Sequence, residues 1–176
     1  PIVTPWNGTK VVGGKGTMSD TGTRVPFIAS WPAGIQKPGR VVNDLVEFTD
    51  IFPTLCAVTG AKLPKNHPPD GASIVPVLQN KADVRKKDWI YIWYRKQVMV
   101  RNKQYSLLAN QDGTNAALTR YKGPFKGKQL ADNKLSKTER ALKEQFEAKI
   151  AELAKTRLTT ASEDGRKQGL KNKTNR

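Results

Sequence analysis

The sequence predicts an α/β chain: a buried strand of a larger sheet first, then a small antiparallel sheet with one helix packed on it. Three observations carry this. Phe27-Ile28-Ala29-Ser30-Trp31 is a short apolar run entered and left through Pro26 and Pro32, which fits a strand covered on both faces. Residues 89–118 alternate β-branched and aromatic runs with short turn signals, the pattern of an antiparallel meander. Ser136-Lys137-Thr138-Glu139 is a capping box, and Leu142, Phe146, Ile150 and Leu153 follow it at helical spacing.

The elements follow in chain order. Residues 1–12 hold two prolines and an Asn7-Gly8 turn signal and read as an irregular loop. Gly13, Gly14 and Gly16 then make a turn around Lys15, with Thr17 beside it. After the 27–31 strand, prolines and glycines turn the chain into a short extended run at 41–46. Thr49 is placed to cap a helix that starts at Asp50 and ends at Gly60, with Ile51, Leu55 and Val58 toward the core. Ser73 caps a short helix through Leu78.

Trp89–Tyr94 opens the meander and, being apolar throughout, is expected to be covered on both faces; strands at 98–100, 105–109 and 116–118 follow. Glycine, lysine and proline make 120–133 a loop, and the capped helix is expected over 137–158 with one stripe on the meander. The domain reading is 1–80, 81–158, and a basic, disordered tail at 159–176.

Composition excludes several classes. No run approaches the roughly 18 apolar residues of a membrane span. The single cysteine excludes an internal disulfide. Thirty-one Lys and Arg against 15 Asp and Glu give a net charge of +16, attractive to anionic polymers, sulfated polysaccharide included. The basic residues are spread along the chain and thicken toward its end without a nucleic-acid-binding signature, which argues for a solvated basic face and tail rather than a nucleic-acid partner. Pro-Ile-Val-Thr-Pro is neither an initiator methionine nor a signal peptide, so the chain is read as a piece of a longer one.

Few residues carry chemistry. Lys15 offers a compact ammonium with three donors, suited to a sulfate or phosphate group; the same residues also fit a plain surface turn with a solvated lysine. The turn is not a phosphate-binding P-loop, because Gly16 follows Lys15 where Ser or Thr is needed. Thr17 and the lone histidine, His67, stand as further candidates for substrate contact; one histidine builds no metal site. Cys56 sits mid-helix as an inert thiol. Asp20, Asp44, Glu47, Asp50 and Asp70 show no metal-ligand spacing, and Arg24 could face an anion.

Gly13-Gly14-Lys15-Gly16-Thr17, then Gly22-Thr23-Arg24-Val25-Pro26-Phe27-Ile28-Ala29-Ser30-Trp31-Pro32-Ala33-Gly34, resembles the late catalytic segment of the sulfatases, within the alkaline-phosphatase-like superfamily. The similarity continues through Asp50-Ile51-Phe52-Pro53-Thr54-Leu55, Asp70-Gly71-Ala72-Ser73 and Pro76-Val77-Leu78. The resemblance implies the end of an alkaline-phosphatase-like mixed sheet followed by a small C-terminal antiparallel sheet. It implies hydrolysis of sulfate esters, with a sulfated small molecule or carbohydrate as substrate and Lys15 against its sulfate group.

It also implies an exported protein using calcium and a formylglycine nucleophile made from cysteine. Neither belongs to this chain: the Asp-Asn-Gly calcium motif is absent, and Cys56-Ala57-Val58-Thr59-Gly60 lacks the Cys-x-Pro-x-Arg context. The chain alone is therefore expected to be inactive. Two alternatives stay open, a phosphatase or phosphonate hydrolase of the same superfamily, and a basic module that binds polyanions or nucleic acid.

Overall fold

The computed structural model describes residues 2–66, 69–81 and 87–155. The architecture is α/β. A two-stranded hairpin, β1 (Val3–Trp6) and β2 (Thr9–Val12), leads into a one-turn helix, α1 (Asp20–Thr23). A 3-10 turn (Phe48–Asp50), α2 (Ile51–Thr59) and α3 (Val75–Leu78) follow. The C-terminal part is a five-stranded antiparallel meander: β3 (Ile90–Tyr94), β4 (Gln97–Arg101), β5 (Tyr105–Asn110), β6 (Ala117–Tyr121) and β7 (Gly127–Gln129), in that spatial order. One long helix, α4 (Lys137–Ala154), packs on it. No helix among the described residues is long and apolar enough to cross a membrane.

The period of two along each strand gives this sheet two different faces. Val98 pairs with Ala109, Val100 with Leu107, and Leu107 with Leu118, so these five share a face. Phe146 and Ile150 of α4 close on them, with Trp89, Tyr91 and Leu142 at the rim. The opposite face carries Met99, Arg101, Ser106 and Tyr121. Through the β3–β4 register, with Ile92 opposite Met99 and Tyr94 opposite Gln97, Tyr94 belongs to that second face too. The segment before the meander is tied in by charge: Lys87 bonds both Glu47 and the wholly buried Asp50, whose carboxylate also takes the N–H groups of Glu47 and Ala72 at 2.9 Å each.

Several expectations need correction. Residues 27–31 form no strand: Phe27 is 51% and Ile28 91% exposed. A strand covered on both faces needs a neighbour to bond and a layer on each side, and the described residues supply neither. The run at 41–46 likewise pairs with nothing as a strand. Residues 3–12 are an ordered hairpin rather than a loop, because Asn7 and Gly8, at φ 45° and 71°, make the two-residue turn whose twist suits paired strands.

Asp50, not Thr49, precedes α2, and its carboxylate reaches back to Glu47. That helix buries Pro53, Thr54 and Cys56 while Leu55 and Val58 stand exposed, so the core face is the reverse of the one expected. Thr54 decides this: its hydroxyl accepts the buried N–H of Ile74 and turns that side inward. Trp93 and Tyr94 are partly exposed because β3 is the sheet's edge strand. Within the expected 120–133 loop, Gly127–Gln129 adds the fifth strand. The described part of the expected 137–158 helix ends at Ala154, and the tail at 159–176 lies outside the described residues.

The capping box forms as expected. Ser136 Oγ accepts from the Glu139 N–H at 3.2 Å, and Glu139 takes the Ser136 N–H at 3.0 Å. The Ser136 N–H and then its hydroxyl hold the Glu139 carboxyl below the ordinary glutamate value, with Tyr105 and Arg120 adding to this. Ser136→Ala should therefore lower stability by about 1 kcal/mol in urea unfolding. A carboxyl depressed in the folded state supports the fold above its unfolded pKa, so this support should fade as pH falls below the ordinary glutamate value of 4.5. Stability that stays flat from pH 6 to the acid limit would contradict the cap's role.

Candidate functional site

The glycine-rich turn closes on itself. Gly13 N–H donates to Ile2 O at 2.8 Å, which fixes the turn to the hairpin. Thr17 donates twice to Gly14 O, from its N–H at 2.9 Å and its hydroxyl at 2.6 Å. The returning chain then crosses at contact distance. A Cβ on Gly14 would stand 2.0 Å from Thr21 Oγ1, and one on Gly22 2.1 Å from Thr17 O, so only glycine lets the two segments approach so closely. Lys15 is left exposed at the apex, and its ammonium has no hydrogen-bond or ion-pair partner among the described residues. Thr17, a candidate for substrate contact, uses its hydroxyl inside the turn, on Gly14 and on Ser19 at 2.7 Å. His67 lies outside the described residues.

Two anchors set this turn against the second face of the sheet. The first is Asp20, buried at the start of α1. One carboxylate oxygen meets Arg101 Nη1 at the end of β4, and the other accepts the Phe125 N–H at 2.9 Å. Arg101 is itself buried and stacks over the Tyr121 ring, 4.2 Å from guanidinium carbon to centroid. Phe125 holds a left-handed backbone at φ 61° and packs edge-on against Trp6 at 5.3 Å, with Arg24 over its ring at 5.9 Å. The second is Tyr94, which stands beside the turn without a bond to it: a Cβ added to Gly16 would lie 3.5 Å from its phenol oxygen. Between the anchors, Met18 is buried.

The chemistry the turn offers is one exposed ammonium. An exposed ammonium on a fixed backbone can hold a tetrahedral oxyanion. No three His, Cys, Asp or Glu side chains come together as a metal site among the described residues. Cys56 is buried inside α2. Neither fits the calcium ion or the formylglycine of a sulfatase.

Fold and site together define an α/β protein that presents one lysine from a glycine turn braced on a small antiparallel sheet. The family model described as "N-sulphoglucosamine sulphohydrolase, C-terminal" matches residues 12–156. The chain belongs to this sulfatase family, as a C-terminal portion.

It is 38% identical over 109 residues to the ulvan-active sulfatase of Formosa agariphila, covering 56% of this chain and 21% of that protein. It is 41% identical over 75 residues to human arylsulfatase D, covering 42% and 12%. The solved structure of BT1596, a 2-O GAG sulfatase, shares the fold with a TM-score of 0.50 at 24% identity, over 71% of this chain and 30% of that one. The chain thus spans about a fifth or less of the length of these two sequence relatives.

The sequence singles out Lys15 as a candidate and gives no sign of what holds its turn in place. Asp20 pairs with a residue 81 positions away, and no local spacing announces that. One signal was present: Arg101 ends the apolar run Val98-Met99-Val100, where a charge needs a partner. Removing one side of a buried pair strands the other. Asp20→Ala should therefore cost about 3–5 kcal/mol in urea unfolding. A loss near zero would show that the turn does not depend on Arg101.

Proposed function

We propose that this chain is the C-terminal part of an enzyme that hydrolyses sulfate esters, with Lys15 neutralising charge on the sulfate oxygens. The observation that carries the reading is Lys15 itself, exposed and without a partner among the described residues, on a turn that close glycine contacts make rigid. Attack at sulfur moves negative charge onto the ester oxygens and the departing alcohol. An ammonium carried to that charge by a held backbone stabilises it, which is how an electrostatic donor lowers a barrier. The relatives named above as sulfatases support sulfate rather than phosphate esters, and a sulfated carbohydrate is the substrate class we favour. Nucleophile and cation would come from the rest of the polypeptide.

In the whole polypeptide that carries this chain, Lys15→Ala should lower kcat/KM for a chromogenic aryl sulfate by about 100-fold, the lower end of what losing one preorganised donor costs. Lys15→Arg should recover part of it, since charge is kept but shape is not. Unchanged turnover in Lys15→Ala, or turnover of aryl phosphate in place of aryl sulfate, would remove the basis of this reading. The purified 176-residue chain by itself should show no aryl-sulfate hydrolysis above background, calcium supplied. Activity there would refute the assignment of the reacting groups to other parts of the enzyme.

A further inference from the structure

Beside the lysine turn stands a second cationic element that the reading above does not use. The β3–β4 turn consists of Arg95 and Lys96, and Tyr94 of the same hairpin reaches Gly16, the residue next to Lys15. Arg95 is fixed through its backbone. It holds a left-handed conformation at φ 54°, and its carbonyl accepts from Trp93 Nε1 at 2.9 Å and from Gln111 Nε2. The Lys96 carbonyl accepts the Gln111 N–H at 3.0 Å.

These ties consume main-chain oxygens only. The guanidinium stays exposed, 5.2 Å over the Tyr94 ring, and no carboxylate pairs with it among the described residues. The Tyr94 hydroxyl likewise makes no hydrogen bond among the described residues. A guanidinium held by its backbone and supported on a ring keeps its planar fork for a ligand, and that fork matches a carboxylate or sulfate in two parallel bonds.

We propose that Tyr94 and Arg95 form the second wall of the Lys15 site, and that Arg95 selects sulfated sugars bearing a second anionic group. The inference rests on the sulfatase reading for the role of Lys15. Lys15 takes the sulfate to be cleaved. Arg95 binds a carboxylate or a second sulfate on the same sugar, and the Tyr94 phenol meets a hydroxyl between them. No bond changes at this wall, so its effect belongs to binding and KM rather than to kcat.

The test uses the whole polypeptide and four forms: wild type, Arg95→Gln, Arg95→Lys and Tyr94→Phe. Each is titrated calorimetrically with a galactose monosulfate, a glucuronate monosulfate and a galactose disulfate, and thermal unfolding checks that each variant is folded. Arg95→Gln should weaken one or both of the doubly anionic probes about tenfold or more, as loss of a charge-assisted hydrogen bond requires. The galactose monosulfate should change by less than about twofold, within the small effect of an uncontacted surface change.

Which of the two probes responds tells carboxylate from sulfate. Arg95→Lys should recover part of the loss. Equal weakening of all three probes, no weakening of any, or no binding of either doubly anionic probe by wild type would overturn the proposal. Hydrolysis followed in parallel separates the two readings. Arg95-dependent binding without turnover of any sulfate ester would sink the sulfatase reading and leave the binding wall standing.

Discussion

The structure depends on one buried carboxylate. Asp20 lies between the guanidinium of Arg101 and the N–H of Phe125, which joins residue 20 to positions 81 and 105 residues further along. Taking a carboxylate and a guanidinium out of water is costly, and an apolar pair of similar volume would often be as stable. What an apolar pair lacks is direction. Two carboxylate oxygens with two different donors fix both the position and the rotation of the short helix that Asp20 begins. Phe125 shows the same demand from the other side, for it accepts a left-handed backbone that a bulky residue avoids.

That demand explains why the two faces of the meander differ. The α4 face is apolar and needs nothing else: Val98, Val100, Leu107, Leu118, Phe146 and Ile150 exclude water among themselves. The other face carries Arg101 and Ser106 among its buried residues, and Ser106 lies 3.1 Å from the Tyr121 hydroxyl on whose ring Arg101 rests. Buried polar groups fix geometry only when every member has a partner. One face therefore supplies stability. The other supplies a fixed platform for the turn.

The local parts of this design were legible in the sequence. A capping box acts within four residues and a meander through neighbouring strands, so Ser136, Glu139 and the antiparallel order of the strands over 90–118 read correctly without knowledge of the rest, while the cover over Trp93 and Tyr94 did not. Asn7-Gly8 was legible as a turn, but the prolines around it hid the hairpin; Pro5 fits because a two-stranded ribbon consists only of edges. The errors fell where a distant partner decides. Apolar residues 27–31 resemble a buried strand, yet burial belongs to neighbours and not to composition. In α2 the helical spacing of Ile51, Leu55 and Val58 pointed one way, and the hydrogen bond from Ile74 to Thr54 turned the helix the other. Lys15 stood out as a candidate because glycines on both sides are a local signal. Asp20, Arg101 and Tyr94 did not, because sheet register brings Arg101 and Tyr94 to one face and only a contact across 81 residues brings Asp20 to it.

Register also sets what the cations on that face can do. Lys15, Arg95 and Lys96 sit on two segments that meet at Gly16 and Tyr94, and like charges on neighbouring segments repel. If carboxylates compensated them, the charge would be spent within the fold. Instead the ties are neutral: main-chain carbonyls at Arg95 and Lys96, and glycine contacts around Lys15. Folding thus fixes the backbone of these cations and, among the described residues, pairs none of them with a carboxylate, so a bound anion would relieve the repulsion. On the proposed reading, such a site would favour a ligand with charge at both segments over one with charge at a single segment. The preference grows as the ligand displaces water, because the local dielectric falls and each ionic contact strengthens.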